Sequence, residues 1–501
     1  MVALTPRRSL LFAITAASLA LSACGGQAED VSRVAAIGQQ PTLVETVTGP
    51  LSPGDALLRS NTAQGLVRFD ERGQVVPGLA ERWNVSDDGL SYIFRLQTGN
   101  WPNGRKIRAD EIARILNRQI RAGSTNPLKD TLGAVSEIVA MTDRVIEIRL
   151  LAPRPNLLQL LAQPEFGLVR AGVGTGPFLK PTEEEAAAFP PDKDNQGALL
   201  LTHRIHIPDA EDPIEKVRLS GGDAARLAAA FADGKLDLVV GGTVDDLPIA
   251  LAQKMPRGAL RFDPVAGLFG LAPTKRNHEV QDADLRRLLS RAIDRQALIA
   301  GLRVGGLVPR ATLLQAGLEG VGQPPQPVWL GQPAGERRAA LVAEANRIFG
   351  ATDRPTLRIA IPNGPGGKYL LARLGYDWAP LGIKVERAPS PASADFVWVD
   401  EVAPSTSPAW FLRRFRCGVA AICVEEAEPL LAQARATVDA HQRAALLVQA
   451  AAMMDQAQLF IPIAAPIRWS LVSGNAPGFA ENAFARHTLV GLANERFSES
   501  Q

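Results

Sequence analysis

Residues that usually carry catalysis or bind metals are scarce in this chain. Its 501 residues include five histidines and three cysteines. His203 and His206 lie three apart on a predicted strand, so their side chains point to opposite faces and cannot chelate one ion. The sequence contains no HExxH motif, P-loop or nucleophile elbow. We therefore expect no metal, no cofactor and no enzymatic activity, and an exported hydrolase is the weaker alternative.

The chain also lacks an excess of charge, since its formal net charge is +2. Arg7 and Arg8 are the only charged residues before Cys24, so 52 of the 54 basic residues follow it, equal to the 52 acidic residues. This balance gives no indication of nucleic-acid binding or of contact with a membrane through a polybasic surface.

Long hydrophobic runs are absent apart from a short one near the start. An apolar run over residues 10–21 follows Arg7-Arg8 and precedes Leu21-Ser22-Ala23-Cys24, which is the order of a secretory signal. The run is too short to span a membrane. Its last four residues resemble a bacterial lipobox, which implies cleavage before Cys24 and lipid on that cysteine. A plain secretory signal with an incidental cysteine is the alternative, and Arg7-Arg8 weakly resembles a twin-arginine signal.

What the sequence does have is a dense run of structural signals over residues 65–111. Residues 66–69 form a short apolar strand candidate, and LAERW, after Pro77-Gly78, is predicted as a short helical piece. Tyr92, Phe94 and Leu96 then alternate with polar residues, as in a half-buried strand. A helix follows, with its isoleucines and Leu116 on one face.

This stretch resembles the signature of the family 5 extracytoplasmic solute-binding proteins, the dipeptide, oligopeptide and nickel-binding components of ABC importers. The matching residues are Gly65, Leu66, Val67, Asp70, Gly73, Pro77, Leu79, Ala80, Trp83, Ser86, Asp88, Gly89, Tyr92, Phe94, Leu96, Gly99, Gly104, Ala109 and Asp110. A second set of matches lies between residues 277 and 299, and a third at 459–463. So many matches at fixed spacing are specific, and the resemblance extends over about residues 40–490.

The resemblance implies an α/β fold of the periplasmic-binding-protein type II class. It consists of two α/β lobes joined by a double crossover hinge, plus an extra domain inserted in the first lobe. The expected parts are a signal peptide (1–23), a flexible tether (24–33), lobe I (34–60, 163–265 and 465–501), the inserted domain (61–162) and lobe II (266–464). Residues 269–271 are expected to cross between the lobes.

Three further segments are interpreted as structural. Residues 214–240 read as a strand–helix–strand unit with a parallel crossover. The run 174–178, Gly-Thr-Gly-Pro-Phe, resembles a family element in which the glycines allow tight turning. Asp282 is expected to cap a helix, and Asp294 and Arg295 are expected to form an ion pair at a helix end.

In peptide-binding members, the region after the strand at 393–399 supplies an acid that pairs with the α-amino group of the ligand. Asp400 is the first candidate here and Glu401 the second, because a buried ammonium requires a hydrogen-bonded carboxylate. Trp398 and Trp410 flank them. The family's Asp-Pro pair is missing and Ser405-Thr406-Ser407 takes its place, so both acids being solvated loop residues is the alternative. Of the basic residues that follow, Arg413, Arg414 and Arg416 can meet a ligand carboxylate or form a solvated face.

The segment before the signature stretch lines the ligand cavity in this family, which makes Asn61, Thr62 and Gln64 further candidates. A structural role in a helix leading into a strand is equally compatible with each of them. Cys417 and Cys423 are the only cysteines after Cys24, and an exported compartment favours a disulfide between them. A metal pair would need further ligands.

The sequence thus predicts a lipid-anchored, extracytoplasmic and monomeric binding protein that captures a peptide-like solute and delivers it to an ABC permease and its ATPase. The main alternative is a lipoprotein of the same fold that serves sensing or assembly without transport. The missing Asp-Pro pair and an aromatic content of 5% keep that alternative open, because peptide clefts usually have aromatic walls.

Overall fold

A computed structural model describes residues 31–189, 197–207, 212–277, 279–350 and 354–493. Cys24, the signal peptide and most of the predicted tether lie outside the described residues. In the part of the chain that is described, no helix has the length and apolar character needed to cross a bilayer.

The helices, in chain order, are α1 Pro53–Thr62, α2 Ala109–Ile120, α3 Leu157–Leu161, α4 Glu183–Ala188, α5 Ala224–Ala232, α6 Leu247–Leu251, α7 Ala283–Ala292, α8 Arg295–Leu302, α9 Ala334–Phe349, α10 Pro365–Trp378, α11 Pro408–Arg413, α12 Ala427–Ala436 and α13 Ala440–Gln456. The strands are β1 Ser32–Ile37, β2 Val67–Phe69, β3 Val75–Pro77, β4 Ala80–Val85, β5 Ser91–Leu96, β6 Val135–Thr142, β7 Val145–Leu150, β8 Val169–Arg170, β9 Val173–Gly174, β10 Leu199–Arg204, β11 Ile214–Gly222, β12 Leu238–Gly242, β13 Leu260–Phe262, β14 Gly267–Pro273, β15 Thr356–Ala360, β16 Lys384–Arg387, β17 Phe396–Val402, β18 Ile461–Pro462 and β19 Trp469–Val472.

The first lobe is built on a six-stranded sheet in the order β10-β11-β1-β12-β19-β13. β1 lies between β11 and β12 and is parallel to both, with Val34 opposite Leu219 and Leu238. β11, α5 and β12 therefore form the predicted parallel crossover, and Asp223 caps α5 by accepting a hydrogen bond from the Arg226 amide. Both faces of the sheet are buried, as the apolar runs in these strands require.

The second lobe is built on a five-stranded sheet in the order β16-β15-β17-β14-β18. β15 is parallel to β16 and β17, whereas β14 is antiparallel to β17 and β18. Helices α7 and α10 cover one side through buried residues such as Leu288 and Leu370, which belong to a core shared with the first lobe. Helices α11, α12 and α13 pack around a separate core that includes Phe411 and Phe460.

Two segments connect the lobes. Residues 263–266 lead from β13 in the first sheet to β14 in the second, and residues 463–468 lead back from β18 to β19. The Asp263 amide donates to the Arg468 carbonyl at 3.0 Å, which ties the two segments together. The prediction that residues 269–271 cross between lobes is wrong, because they pair within β14 inside the second sheet.

The inserted domain contains a four-stranded antiparallel sheet in the order β4-β5-β7-β6, covered by α2. Its core includes Phe94 of β5 and Ile148 of β7, as the alternating pattern predicts. The helical interpretation of LAERW is wrong: these residues lead into β4, where Trp83 lies opposite Phe94. Pairing along β5 overrides the local helical preference of this piece. The predicted boundary at residue 61 falls inside α1, which packs on β1 in the first lobe.

Glycines 174 and 176 are needed for a reason other than turning. A Cβ at Gly174 would collide with the Thr62 carbonyl, and one at Gly176 with the Asn61 carbonyl. Neither residue has a positive φ. The close approach of this strand to the end of α1 therefore requires glycine at both positions.

Helix α7 has the predicted cap, whereas helix α8 has a cap where an ion pair was predicted. Asp282 accepts from the Asp284 amide and Asp294 from the Ala297 amide. The predicted ion pair of Asp294 with Arg295 is not formed. Arg295 is buried and donates to the carbonyls of Ser290 and Pro462, because its side chain points into the lobe.

Candidate ligand-binding cleft

A cleft of two adjoining cavities lies where the first lobe, the second lobe and the inserted domain meet. The hinge cavity, about 550 Å³, is lined by residues of α1, the crossovers and segments 401–414 and 484–487. The arginine cavity, about 320 Å³, is lined by residues 130–134 and 154–160 of the inserted domain and by α11, α12 and α13 of the second lobe. Trp410 and Arg413 line both. Volumes of this size are typical of small-ligand sites.

Most charged groups of the hinge cavity are paired within the protein. The shortest nitrogen–oxygen distances are 2.7 Å for Arg414–Glu401, 2.7 Å for Arg468–Asp400, 3.0 Å for Arg486–Glu165 and 3.3 Å for His487–Asp263. One oxygen stands out, because Oε2 of Glu165 is buried and has no hydrogen-bond partner among the described residues. A ligand cation that reached this oxygen would satisfy it.

Asp400 lies near the end of β17, where it bonds to Arg468 of the second crossover. Its carboxylate accepts from Nη1 of Arg468 at 2.7 Å, and its carbonyl accepts from Nη2 at 3.0 Å. Burial raises the pKa of the Asp400 carboxyl, and Arg468 opposes that rise. Asp400 is not part of either cavity wall, whereas its neighbour Glu401 lines the hinge cavity. The structure thus separates the two predicted acids.

The two predicted tryptophans are also separated. Trp398 is 9% exposed and packs edge-on against Phe269, with ring centroids 4.8 Å apart, so it belongs to the core rather than to a cavity wall. Trp410 lies on α11 and contacts Phe411 edge-on at 5.0 Å. It stands between the two cavities, where its indole offers the aromatic surface that peptide clefts use.

The three candidates near α1 bind other parts of the protein. Asn61 is buried, donates to the Leu57 carbonyl and accepts from the Leu489 amide at 2.8 Å. Thr62 donates to the Leu58 carbonyl, and Gln64 donates to the Thr175 carbonyl at 2.7 Å. None of the three lines the hinge or the arginine cavity. The bonds of Asn61 and Gln64 hold the end of α1 against the C-terminal segment and the segment 174–178, whereas that of Thr62 lies within α1.

The segment that replaces the Asp-Pro pair joins the second lobe to the inserted domain. Asn156 Nδ2 donates to Ser405 Oγ at 3.1 Å, Gln163 Nε2 donates to the Pro404 carbonyl at 2.8 Å, and Gln159 Oε1 accepts from the Thr406 amide at 3.0 Å. We call these bonds the amide clasp. The three amide side chains are spaced by three and four residues, so they share one face of the segment around α3. None of the three was predicted, although their spacing is visible in the sequence.

Five arginines line the arginine cavity, and two of them have acidic partners. Arg416 bonds to Glu428 at 3.3 Å and Arg443 to Glu319 at 3.1 Å. The other three are Arg154, Arg413 and Arg435. Arg413 was one of three basic residues with an open interpretation, whereas Arg154 and Arg435 were not predicted, because they come from elements more than 250 residues apart.

Cys417 and Cys423 form a disulfide, with Cα atoms 5.1 Å apart, in the loop after α11. The Cys417 amide donates to Glu428 at 2.8 Å, so the loop is held next to the arginine cavity. His203 bonds to Glu215, and His206 to Asp212. Across the described ranges, no cluster of three or more histidine, cysteine or acidic residues is arranged to hold a metal.

The chain is similar to known binding proteins over most of its length. Residues 74–410 match the family described as bacterial extracellular solute-binding proteins, family 5 Middle. Heme-binding protein A of Haemophilus influenzae is 23% identical, with 89% of this chain and 91% of that protein covered. The probable di/tripeptide-binding protein 5 of Pseudomonas aeruginosa is 23% identical, with 86% and 89% covered.

The same likeness extends to solved structures. Haemophilus influenzae OppA, in complex with RPPGFSPFR, has a TM-score of 0.74 at 14% identity, with 92% of this chain and 98% of that chain covered. At this identity the likeness concerns the fold alone. It confirms the predicted type II arrangement of two α/β lobes and an inserted domain.

Proposed function

From the premise that this chain belongs to the family 5 bacterial extracellular solute-binding proteins, we propose that it captures a peptide-like solute in the cleft and delivers it to an ABC permease. The observation that carries this proposal is the composite cleft, with Trp410 between a hinge cavity and an arginine cavity. Relatives of similar length are named for di/tripeptide and heme binding. Both names describe binding without chemistry on the ligand.

Closure of the cleft about the two crossovers is part of this proposal. The crossovers are short and lie side by side, which is the geometry of a hinge. The amide clasp connects the inserted domain to the second lobe on the other side of the cleft. A ligand that contacts both sides stabilises the closed state by its greater affinity for that state.

The polar groups of the cleft suggest how a peptide is oriented. Glu165 Oε2 and the partly exposed Glu401 are acceptors for an α-amino group in the hinge cavity. They take the role that the sequence analysis gave to Asp400. The peptide body then passes Trp410, and its carboxyl end points toward Arg413.

We further propose that the mature protein is extracytoplasmic and tethered by lipid on Cys24. The support is the sequence of residues 1–24 and the family, whose members are described as extracellular. A tether of this kind raises the local concentration of the protein at the permease.

A thermal-shift screen of the purified protein tests the binding proposal. The panel contains di-, tri- and pentapeptides, opines, oligosaccharides and nickel chelates. A ligand at 100 times its Kd is expected to add roughly 2.7 kcal/mol to the free energy of unfolding. Peptides are expected to give the shift, and Trp410→Ala is expected to reduce it.

Two variants locate the ammonium site. Glu165→Gln is expected to weaken peptide binding and to leave binding of an N-acetylated peptide unchanged. Gln97→Glu is the control. It adds one negative charge in the inserted domain, away from the cleft, whereas Glu165→Gln removes one. A flat response across the whole panel would contradict the importer proposal and would favour the sensing or assembly alternative.

A further inference from the structure

The arginine cavity carries more positive charge than the protein neutralises. Its wall includes five arginines and two acidic residues, Asp130 and Glu319. Glu319 is used by Arg443, and Arg416 bonds to Glu428 outside the wall. Among the described residues, Arg154 donates only to carbonyl groups, those of Pro153 and Arg435. The cavity therefore has a positive excess that a bound solute can neutralise.

Arg413 and Arg435 are the clearest cases. In the described part of the chain, neither guanidinium has a hydrogen bond or an ion pair, and Nη1 of Arg413 is buried without a partner. Burial lowers the pKa of both. Arg416 lowers the pKa of Arg435 further and Glu428 opposes this, whereas Asp130 and Glu401 oppose the lowering at Arg413. Arg435 is exposed, so the cost of a buried donor without a partner applies to Nη1 of Arg413. Proteins rarely keep such a buried group without a use for it.

The rest of the wall limits what the anion is attached to. Leu160, Leu431, Leu447 and Trp410 supply apolar surface beside the arginines. Asp130 is exposed and lies close enough to Arg413 to raise the pKa of that residue, which reduces the positive charge without removing it. The complement to this wall is a carboxylate on a partly apolar body.

We propose that the arginine cavity is an anion subsite, in which Arg413 and Arg435 bind a carboxylate of a peptide-like solute and make the cleft select acidic peptides. A planar guanidinium matches a carboxylate through two parallel hydrogen bonds. This inference rests on the proposed function, since it names the class of solute for the same cleft. It also gives a role to the basic residues after α11 that the sequence left open.

Three tripeptides measured by isothermal titration calorimetry test the proposal. Ala-Leu-Glu has two carboxylates, Ala-Leu-Gln has one, and the amide of Ala-Leu-Gln has none. Ala-Leu-Glu is expected to bind at least about tenfold more tightly than the amide. A tenfold difference corresponds to the contribution of about one charge-assisted hydrogen bond. In Arg413→Gln this ratio is expected to fall at least about fivefold.

Controls separate charge from folding. Arg435 lies on the exposed end of α12. Arg435→Gln is therefore expected to lower the ratio of the affinities for Ala-Leu-Glu and the amide without affecting the core. Arg114→Gln removes the same charge from a surface ion pair with Asp110 and is expected to leave the ratio unchanged. The amide of Ala-Leu-phosphoserine shows whether phosphate replaces carboxylate, and binding tighter than Ala-Leu-Glu would overturn the carboxylate assignment.

The two proposals fail in different ways. If the three tripeptides bind with equal affinity and Arg413→Gln changes nothing, the anion subsite is overturned and the peptide-binding function stands. If none of the three binds, both are contradicted.

Discussion

The two cavities of the cleft share Trp410 and Arg413, but they differ in how many of their arginines have acidic partners within the protein. In the hinge cavity, Arg414, Arg468 and Arg486 each have an acidic partner within the protein. In the arginine cavity, Arg413 and Arg435 have none among the described residues. A charge beside a cavity is therefore a poor guide to ligand binding unless its partners are known. We propose that the paired groups shape the cleft and that the unpaired groups bind the solute.

Asp400 and Glu401 show the same contrast at neighbouring positions. Alternate residues of a strand face opposite sides, so β17 directs Asp400 toward Arg468 and Glu401 toward the cavity. Asp400 has a side chain 15% exposed, and that of Glu401 is 47% exposed. The predicted ligand acid is thus part of the hinge.

The largest expected effect comes from breaking the hinge pair. Asp400→Asn leaves Arg468 without its counter-charge and is expected to lower the free energy of unfolding by about 3–5 kcal/mol. Glu401→Gln, which breaks the exposed pair with Arg414, is expected to cost less than about 1 kcal/mol. Urea unfolding of both variants measures the difference. Equal losses would show that the two pairs do not differ as the structure indicates.

A pH effect is expected from Asp455, which lies on α13 away from both cavities. Burial raises the pKa of Asp455 to about 7, while its carboxylate accepts from the Leu313 amide at 2.9 Å. The folded state holds this proton more tightly than the unfolded state. The contribution of Asp455 to stability is therefore fully present below about pH 4 and is lost, by about 2–4 kcal/mol, as pH rises through 7.

Asp455→Asn keeps the acceptor and is expected to flatten this dependence, as measured by chemical unfolding between pH 4 and 8. Because Asp455 is remote from the arginines, any pH dependence of ligand binding should survive in the variant. If Asp455→Asn abolished the pH dependence of stability and that of ligand binding together, Asp455 would be coupled to the cleft. The contrast between the cleft walls and the rest of the second lobe would then be weaker.

Asn61 tests whether a predicted ligand residue is structural. Asn61→Ala removes the acceptor for the buried Leu489 amide and is expected to lower the free energy of unfolding by about 2 kcal/mol. The Kd of the folded variant for its best peptide should stay within twofold of that of the unchanged protein. A twofold change is small, since a tenfold change in Kd corresponds to about 1.4 kcal/mol. A tenfold rise in Kd with unchanged stability would place Asn61 in the cleft after all.

The smallest expected effect comes from the amide clasp. Gln159→Ala removes the acceptor for the Thr406 amide and hydroxyl. It is expected to weaken peptide binding by about fivefold, or about 1 kcal/mol, because the closed state loses hydrogen bonds that the open state does not have.

Gln97→Ala is the matched control for the clasp, since it breaks a bond to the Gly78 carbonyl within the inserted domain. It is expected to affect stability without affecting affinity. If Gln97→Ala and Gln159→Ala weaken binding equally, the clasp has no special part in closure.

Several features followed from the sequence because they depend on local patterns. The alternation of Tyr92, Phe94 and Leu96 predicted β5, and the position of Asp282 predicted the start of α7. The match over residues 65–111 predicted the family and with it the two-lobe fold. LAERW was misjudged because the energy of pairing with β5 lies outside the piece itself.

Only the tertiary structure decided which side chains line the cleft and which are paired within the protein. Arg154 and Arg435 meet across two domains, and Asp400 meets Arg468 from the other lobe. No local pattern encodes such partners, since a charged side chain reaches whichever group folding brings within a few ångströms. The chain's own order thus determined its family, its fold class and most of its strands and helices. The partners made on folding decided which charges are paired and which are left unpaired beside the cleft, because electrostatic attraction depends on distance in space and not on separation along the chain.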